Sequence, residues 1–174
     1  TLYEHCRRAI EKGNTSGKHG LPLMGGGDWN DGMNRVGMDG RGESIWLGWF
    51  LHATLKRFAS LVVLMNDDSA PYLQQADKLE QALEFHAWDG EWYLRAFYDD
   101  GSKMGSHESI ECQIDSIAQS WAVLSGAADP ARAAQAMVSV NKHLVKQADQ
   151  MILLFTPPFD KSSHDPGYIK GYLP

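Results

Sequence analysis

The chain has 174 residues and a formal net charge of −6, with 43% hydrophobic and 22% charged residues. This length and apolar content exclude wholesale disorder, suit one domain, and allow a core without disulfide staples. The acidic balance excludes a binder of the nucleic-acid backbone, which would need a basic face.

Residues 2–12 suit a helix, and Thr1 opens the chain inside it, as in a piece of something longer. Residues 13–42 read as irregular and hold ten of the seventeen glycines. Long structureless stretches in compact domains are often functional. Ser44 can cap a helix whose apolar positions Leu47, Leu51, Leu55, Phe58, Val62 and Met65 recur at spacings of three and four. Residues 45–65 approach the length of a membrane span, but His52, Lys56 and Arg57 at their centre point to a buried helix making no membrane contact. Ser69 and Pro71 open a second amphipathic helix through Leu83, broken at Trp88-Asp89-Gly90. Residues 91–98 lean to β structure, and Asp99-Asp100-Gly101 turns them into a short hairpin. Ile114, Ile117, Ala118, Trp121 and Leu124 form a further helical stripe, stopped at Gly126. Asp129 and Pro130 start the last helix, with a stripe of Ala134, Met137, Leu144 and Ala148. The chain is extended and proline-rich after Met151.

Chemistry concentrates in Gly25-Gly26-Gly27-Asp28-Trp29-Asn30-Asp31. The glycines let backbone approach a ligand, and the two carboxylates flank a flat indole and an amide. That combination suits a sugar: stacking for the ring face, polar groups for hydroxyls, and an acid for the glycosidic oxygen. A tight Asp/Asn/Gly turn with Trp29 plugged into the core is the plainer reading. The P-loop and EF-hand patterns fail here, and no GxSxG elbow exists. Ser139 and Lys142 match SxxK, but inside a helix they read as a solvated face. Seven histidines with no HExxH and no close pair give no metal site. Trp46, Trp49 and Trp121 lie on apolar stripes, whereas Trp88 and Trp92 flank the hairpin and suit either a core or a binding surface. His107-Glu108 lies in a polar loop that could face a cleft. Cys6 and Cys112 form no CxxC and suit a reducing compartment.

The run Gly26-Gly27-Asp28-Trp29-Asn30-Asp31-Gly32-Met33-Asn34-Arg35, with Gly42-Glu43-Ser44-Ile45-Trp46-Leu47-Gly48-Trp49, resembles glycoside hydrolase family 94. The likeness continues through Ala87-Trp88-Asp89-Gly90-Glu91-Trp92-Tyr93-Leu94-Arg95 and Ile114-Asp115-Ser116-Ile117-Ala118-Gln119-Ser120-Trp121. It resumes at Thr156-Pro157-Pro158-Phe159-Asp160 and Asp165-Pro166-Gly167-Tyr168-Ile169. It is nearest in detail to the phosphorylase-like domain of cyclic β-1,2-glucan synthases.

The resemblance implies a mainly α fold: part of an (α/α)6 barrel, about five helices with long loops and one short β-hairpin. On this reading residues 1–174 are one piece of a single catalytic domain, with further parts before and after. It implies inverting phosphorolysis of a β-linked glucan or glucoside, with inorganic phosphate as co-substrate and no other cofactor. Asp31 matches the general acid, Trp29 lines the sugar site, and Asp28 and Asn30 belong to the same substrate-binding motif and hold its loop. A phosphorylase needs only the acid, because phosphate is already a nucleophile, whereas an inverting hydrolase needs a second carboxylate to activate water. A general acid keeps its proton near neutral pH through burial or a neighbouring negative charge, and Asp28 or bound phosphate is a source of that charge. Two alternatives stand beside this reading: an inverting hydrolase on a similar barrel, and a non-catalytic glycan-binding or structural segment in which Trp29, Trp88 and Trp92 stack on sugar. An incomplete barrel leaves apolar helix faces open, so association between copies is expected. The resemblance and the cysteines place the chain in the cytoplasm, within a parent that includes a membrane-anchored portion if it is a synthase.

Overall fold

The computed structural model describes residues 1–161 and 163–171. Helix α1 (Leu2–Gly13) begins on Thr1, whose hydroxyl accepts the Glu4 amide while Glu4 reaches back to the Thr1 nitrogen. Thr1 is therefore a cap residue and not part of the helix. Helix α2 (Ile45–Leu64) begins where Ser44 Oγ accepts the Leu47 amide at 3.0 Å. Helix α3 (Ala70–His86) carries Pro71 in its first turn, where a missing N–H costs nothing. Asp115 caps α4 (Ser116–Ser125), which Gly126 ends in the left-handed conformation, and Asp129 caps α5 (Pro130–His143).

Helix α2 is the hub, packing on α3 and α4, and α4 in turn packs on α5. Trp49, Leu55 and Val62 on α2 and Leu79 and Leu83 on α3 are fully buried, as their helical spacing requires. By length and composition α2 could cross a membrane, yet half of it is buried inside the protein. Leu61 and Leu64 of α2 and Val123 and Leu124 of α4 stay exposed. Among the described residues the five helices close no barrel, so the fold is mainly α and partial, as expected.

The β structure is richer than one hairpin. Strands β2 (Ala96–Phe97) and β3 (Lys103–Met104) pair across the expected turn, and β1 (Glu43–Ser44) joins β2 on its other edge. Strand β4 (Ile114–Asp115) pairs with β7 (Phe155–Thr156), and β5 (Val145–Lys146) with β6 (Met151–Ile152). Each strand has only two residues, too short for an alternating pattern to be visible.

Three sequence expectations need correction. The last helix stops at His143 and not at Ala148, because Val145 and Lys146 turn out to pair with β6. Its buried face is Ala136, Ser139 and Val140, leaving Ala134 and Met137 exposed. Ser139 is thus no solvated position: its hydroxyl donates to the Glu91 carbonyl at 2.9 Å, tying α5 to the loop before β2.

Candidate active site

The loop holding Asp31 is shaped by its own side chains. Gly25 and Gly27 adopt positive φ of 58° and 124°, and a Cβ on Gly25 or Gly26 would meet open space. Two of these glycines therefore serve the turn. Asp28 Oδ1 accepts the Asn30 amide, and Asn30 Oδ1 accepts the Gly32 amide, both at 3.0 Å. The second bond starts a 3₁₀ turn over Asp31–Met33, which sends Met33 into the core while Asp31 stays exposed. Gly32 is obligatory for a different reason, since a Cβ there would lie 2.8 Å from Ile169 Cβ. Residues 165–169 clamp the turn from outside. Arg35 N donates to the Pro166 carbonyl at 3.1 Å, Tyr168 N to Asn34 Oδ1 at 3.2 Å, and Arg35 pairs with Asp165.

Behind the loop lies a buried ionic cluster. Arg95 grips Asp28 with both terminal nitrogens, at 2.6 and 2.7 Å, and the two side chains are fully buried. Ser44 Oγ donates to the same carboxylate while capping α2. On its other side, Arg95 Nε lies 3.4 Å from Asp115 Oδ2, and Asp115 Oδ1 accepts the Ile117 amide at the start of α4. Burial pushes the Asp28 carboxyl upward, but Arg95, Ser44 and the Asn30 amide outweigh it and hold the group below the usual range. For Asp115 burial wins, and its carboxyl is raised despite Arg95. One guanidinium serves two carboxylates, and the bidentate partner takes most of its charge.

In front of the loop is a cleft of about 480 Å³. Trp29, Asn30 and Asp31 line it from the loop, Leu154, Phe155 and Pro158 from the segment around β7, and Tyr168 and Ile169 complete the lining. Trp29 is 55% exposed, so it is no core plug. Among the described residues no lysine, arginine or histidine forms an ion pair with Asp31. Three of the four residues singled out from the motif thus share the cleft. Asp28 does not line it: its carboxylate is spent on Arg95, Ser44 and the Asn30 amide, so it holds the loop from behind instead of meeting ligand.

The cluster contains residues that sequence reasoning missed. Arg95 is the lone charge in the run Trp92-Tyr93-Leu94-Arg95-Ala96-Phe97-Tyr98, which is the signal that could have found it. Asp115 falls between the residues of a helical stripe, and nothing local reveals its contact with Arg95. Trp92 is core, its Nε1 donating to the Gly105 and Gln113 carbonyls at 2.8 and 2.9 Å. Trp88 packs edge-on against Tyr93. A sugar platform of Trp29, Trp88 and Trp92 therefore does not form. Glu108 lines a separate cavity with Tyr98, Lys103 and Glu111, whereas His107 is held by Asp89 at 2.7 Å.

Comparison with known proteins gives this geometry a family. The model of the glycosyl hydrolase 94 superfamily catalytic domain matches residues 1–174. The chain is 48% identical over 176 residues to the cyclic beta-(1,2)-glucan synthase NdvB of Rhizobium meliloti, covering 99% of this chain and 6% of that protein. It is 35% identical over 178 residues to solabiose phosphorylase of Paenibacillus borealis, covering 100% of the chain and 23% of the relative. Cellobionic acid phosphorylase of Neurospora crassa is 34% identical over 172 residues, with 97% of the chain and 22% of the relative covered. The chain spans less than a quarter of the length of each of these relatives. It belongs to the catalytic domain of the glycosyl hydrolase 94 superfamily.

Proposed function

We propose that this chain carries the general acid of an inverting β-glucoside phosphorylase-type domain, and that its parent is a cyclic β-glucan synthase. The observation that carries the reading is the Asp31 carboxyl, unpaired by any cation among the described residues, at the wall of a cleft beside the exposed face of Trp29. In the proposed reaction Trp29 stacks on the glucosyl ring and the Asn30 amide bonds its hydroxyls. Inorganic phosphate attacks the anomeric carbon from the face opposite the leaving sugar, and the carbon–oxygen bond to that sugar breaks. The proton of Asp31 passes to the departing oxygen, and α-glucose 1-phosphate is released. Phosphate is the only co-substrate, and no further cofactor is invoked. Two free cysteines support a reducing, cytoplasmic setting.

The test is Asp31→Asn in the full-length enzyme that contains this chain. Loss of the acid lowers phosphorolysis by roughly 10²–10⁴-fold with the fold intact, read as glucose 1-phosphate released from a β-glucan. Full activity in the variant removes Asp31 from the chemistry. Sugar release that needs no phosphate replaces the phosphorylase by an inverting hydrolase. Glucan binding without turnover in the unmodified enzyme leaves a binding module.

A further inference from the structure

Both walls of the Asp31 cleft lead back to one buried side chain. The Asp31 wall is fixed through Asp28, which takes two bonds from Arg95 and accepts the Asn30 amide. The Leu154–Phe155 wall is fixed through Asp115, whose strand pairs it directly with Phe155, and the next residue, Ser116, donates its amide to the Leu154 carbonyl at 2.7 Å. Arg95 Nε lies 3.4 Å from Asp115 Oδ2. The stem of Arg95 is anchored by its backbone, whose amide donates to the Met104 carbonyl at 2.8 Å and whose carbonyl accepts the Ile45 amide at 3.2 Å. Its planar fork reaches two carboxylates in directions that a point-charge ammonium cannot reproduce.

We infer that Arg95 is a positioning residue that sets the separation between Asp31 and the Leu154–Phe155 wall, and so aims the acid at the glycosidic oxygen. This rests on the proposed role of Asp31 as general acid. Arg95 touches no substrate. It fixes the width of the slot in which the leaving sugar sits, and a displacement of about 1 Å at a reacting group costs on the order of 100-fold in rate.

A misplaced acid has a signature that a merely weakened fold does not share. Protonation matters greatly when the leaving group is a sugar alkoxide and little when it is a stable phenolate. The full-length enzyme is therefore assayed with phosphate on two donors, a β-glucan and 2,4-dinitrophenyl β-glucoside, for the unmodified protein and for Arg95→Met, Arg95→Lys, Asp115→Asn and Asp31→Asn. We expect Arg95→Met to lower kcat about 100-fold on glucan. On the aryl glucoside it should fall less than about 10-fold, because leaving-group protonation is then dispensable. Arg95→Lys, which keeps the charge, should recover part of the loss. Asp115→Asn, which keeps an oxygen for the Ile117 amide, should show the same split to a smaller extent.

Equal losses on both donors, or full kcat on glucan, in folded Arg95→Met and Asp115→Asn overturn the inference. Failure of both variants to fold also overturns it, by making the cluster a determinant of folding alone. Asp31→Asn separates the two ideas. If it shows the split and the Arg95 and Asp115 variants do not, only the positioning role falls. If it shows none, the general-acid reading falls first and the positioning role with it.

Discussion

His52 lies in the middle of α2 with its ring buried and both nitrogens without a hydrogen bond. Its nearest charge is Glu80 on α3, 3.7 Å away, with Lys56 and Asp77 also acting on it. Burial holds its pKa below 6.5, and Glu80 only partly offsets that. The unfolded chain takes up this proton near pH 6.5 while the folded ring refuses it, so the unfolded state binds more protons. Stability is complete above pH 6.5 and declines as pH falls below it. His86 and His143 are also lowered by burial and act in the same direction, whereas His107, raised by Asp89, opposes them. The specific measurement is thus a difference. Thermal unfolding of His52→Gln should lose less Tm between pH 7 and pH 5 than the unmodified chain, and identical slopes would remove His52 as a contributor.

At the scale of elements, caps explain where helices start better than apolar stripes explain which face is buried. Asp129 Oδ1 accepts the Ala131 and Arg132 amides at 2.9 and 3.0 Å, with Pro130 following at the first helical position. Asp129→Ala should therefore cost roughly 1 kcal/mol in chemical denaturation. A loss below about 0.3 kcal/mol would show that the packing of α5 holds its first turn without the cap. Ser44 and Asp129 are local signals acting over two or three residues, so the starts of α2 and α5 were legible, whereas the Asp115 cap of α4 was passed over inside an apolar stripe. The buried face of α5 was not, because its alanines and valines repeat on more than one side and Ser139 looks polar. Its bonds to the Glu91 and Gln135 carbonyls let it sit in the core. The same contrast holds at the site. Trp29, Asn30 and Asp31 are contiguous and readable as a motif. Leu154, Phe155 and Tyr168 reach the cleft from more than a hundred residues away, the first two through a β4–β7 pairing of two residues per strand and Tyr168 through its amide on Asn34.

For the whole molecule, the decisive quantity is where the charge lies. Inorganic phosphate carries between one and two negative charges at neutral pH, and proteins hold it with arginine, lysine, histidine or convergent backbone amides. The described residues lining the Asp31 cleft are Trp29, Asn30, Asp31, Gly32, Leu153, Leu154, Phe155, Pro158, Tyr168 and Ile169, with no cationic side chain among them. Arg95, behind the loop, is fully buried against two carboxylates, and Arg35, four residues beyond Asp31, is paired with Asp165. The chain as a whole carries a net charge of −6, which repels an approaching anion. In the proposed reaction these residues supply the proton donor and a stacking face, and the described lining holds no cationic seat for the nucleophile. In the proposed reaction that seat lies elsewhere in the full-length enzyme, since the chain spans less than a quarter of the length of these relatives. The 174 residues expressed alone should then release no measurable glucose 1-phosphate from a β-glucan, even at phosphate concentrations far above those the full enzyme needs. Phosphorolysis by the isolated chain, abolished by Asp31→Asn, would mean that a neutral cleft binds phosphate through dipoles alone, and the division of labour argued from its lining would be wrong.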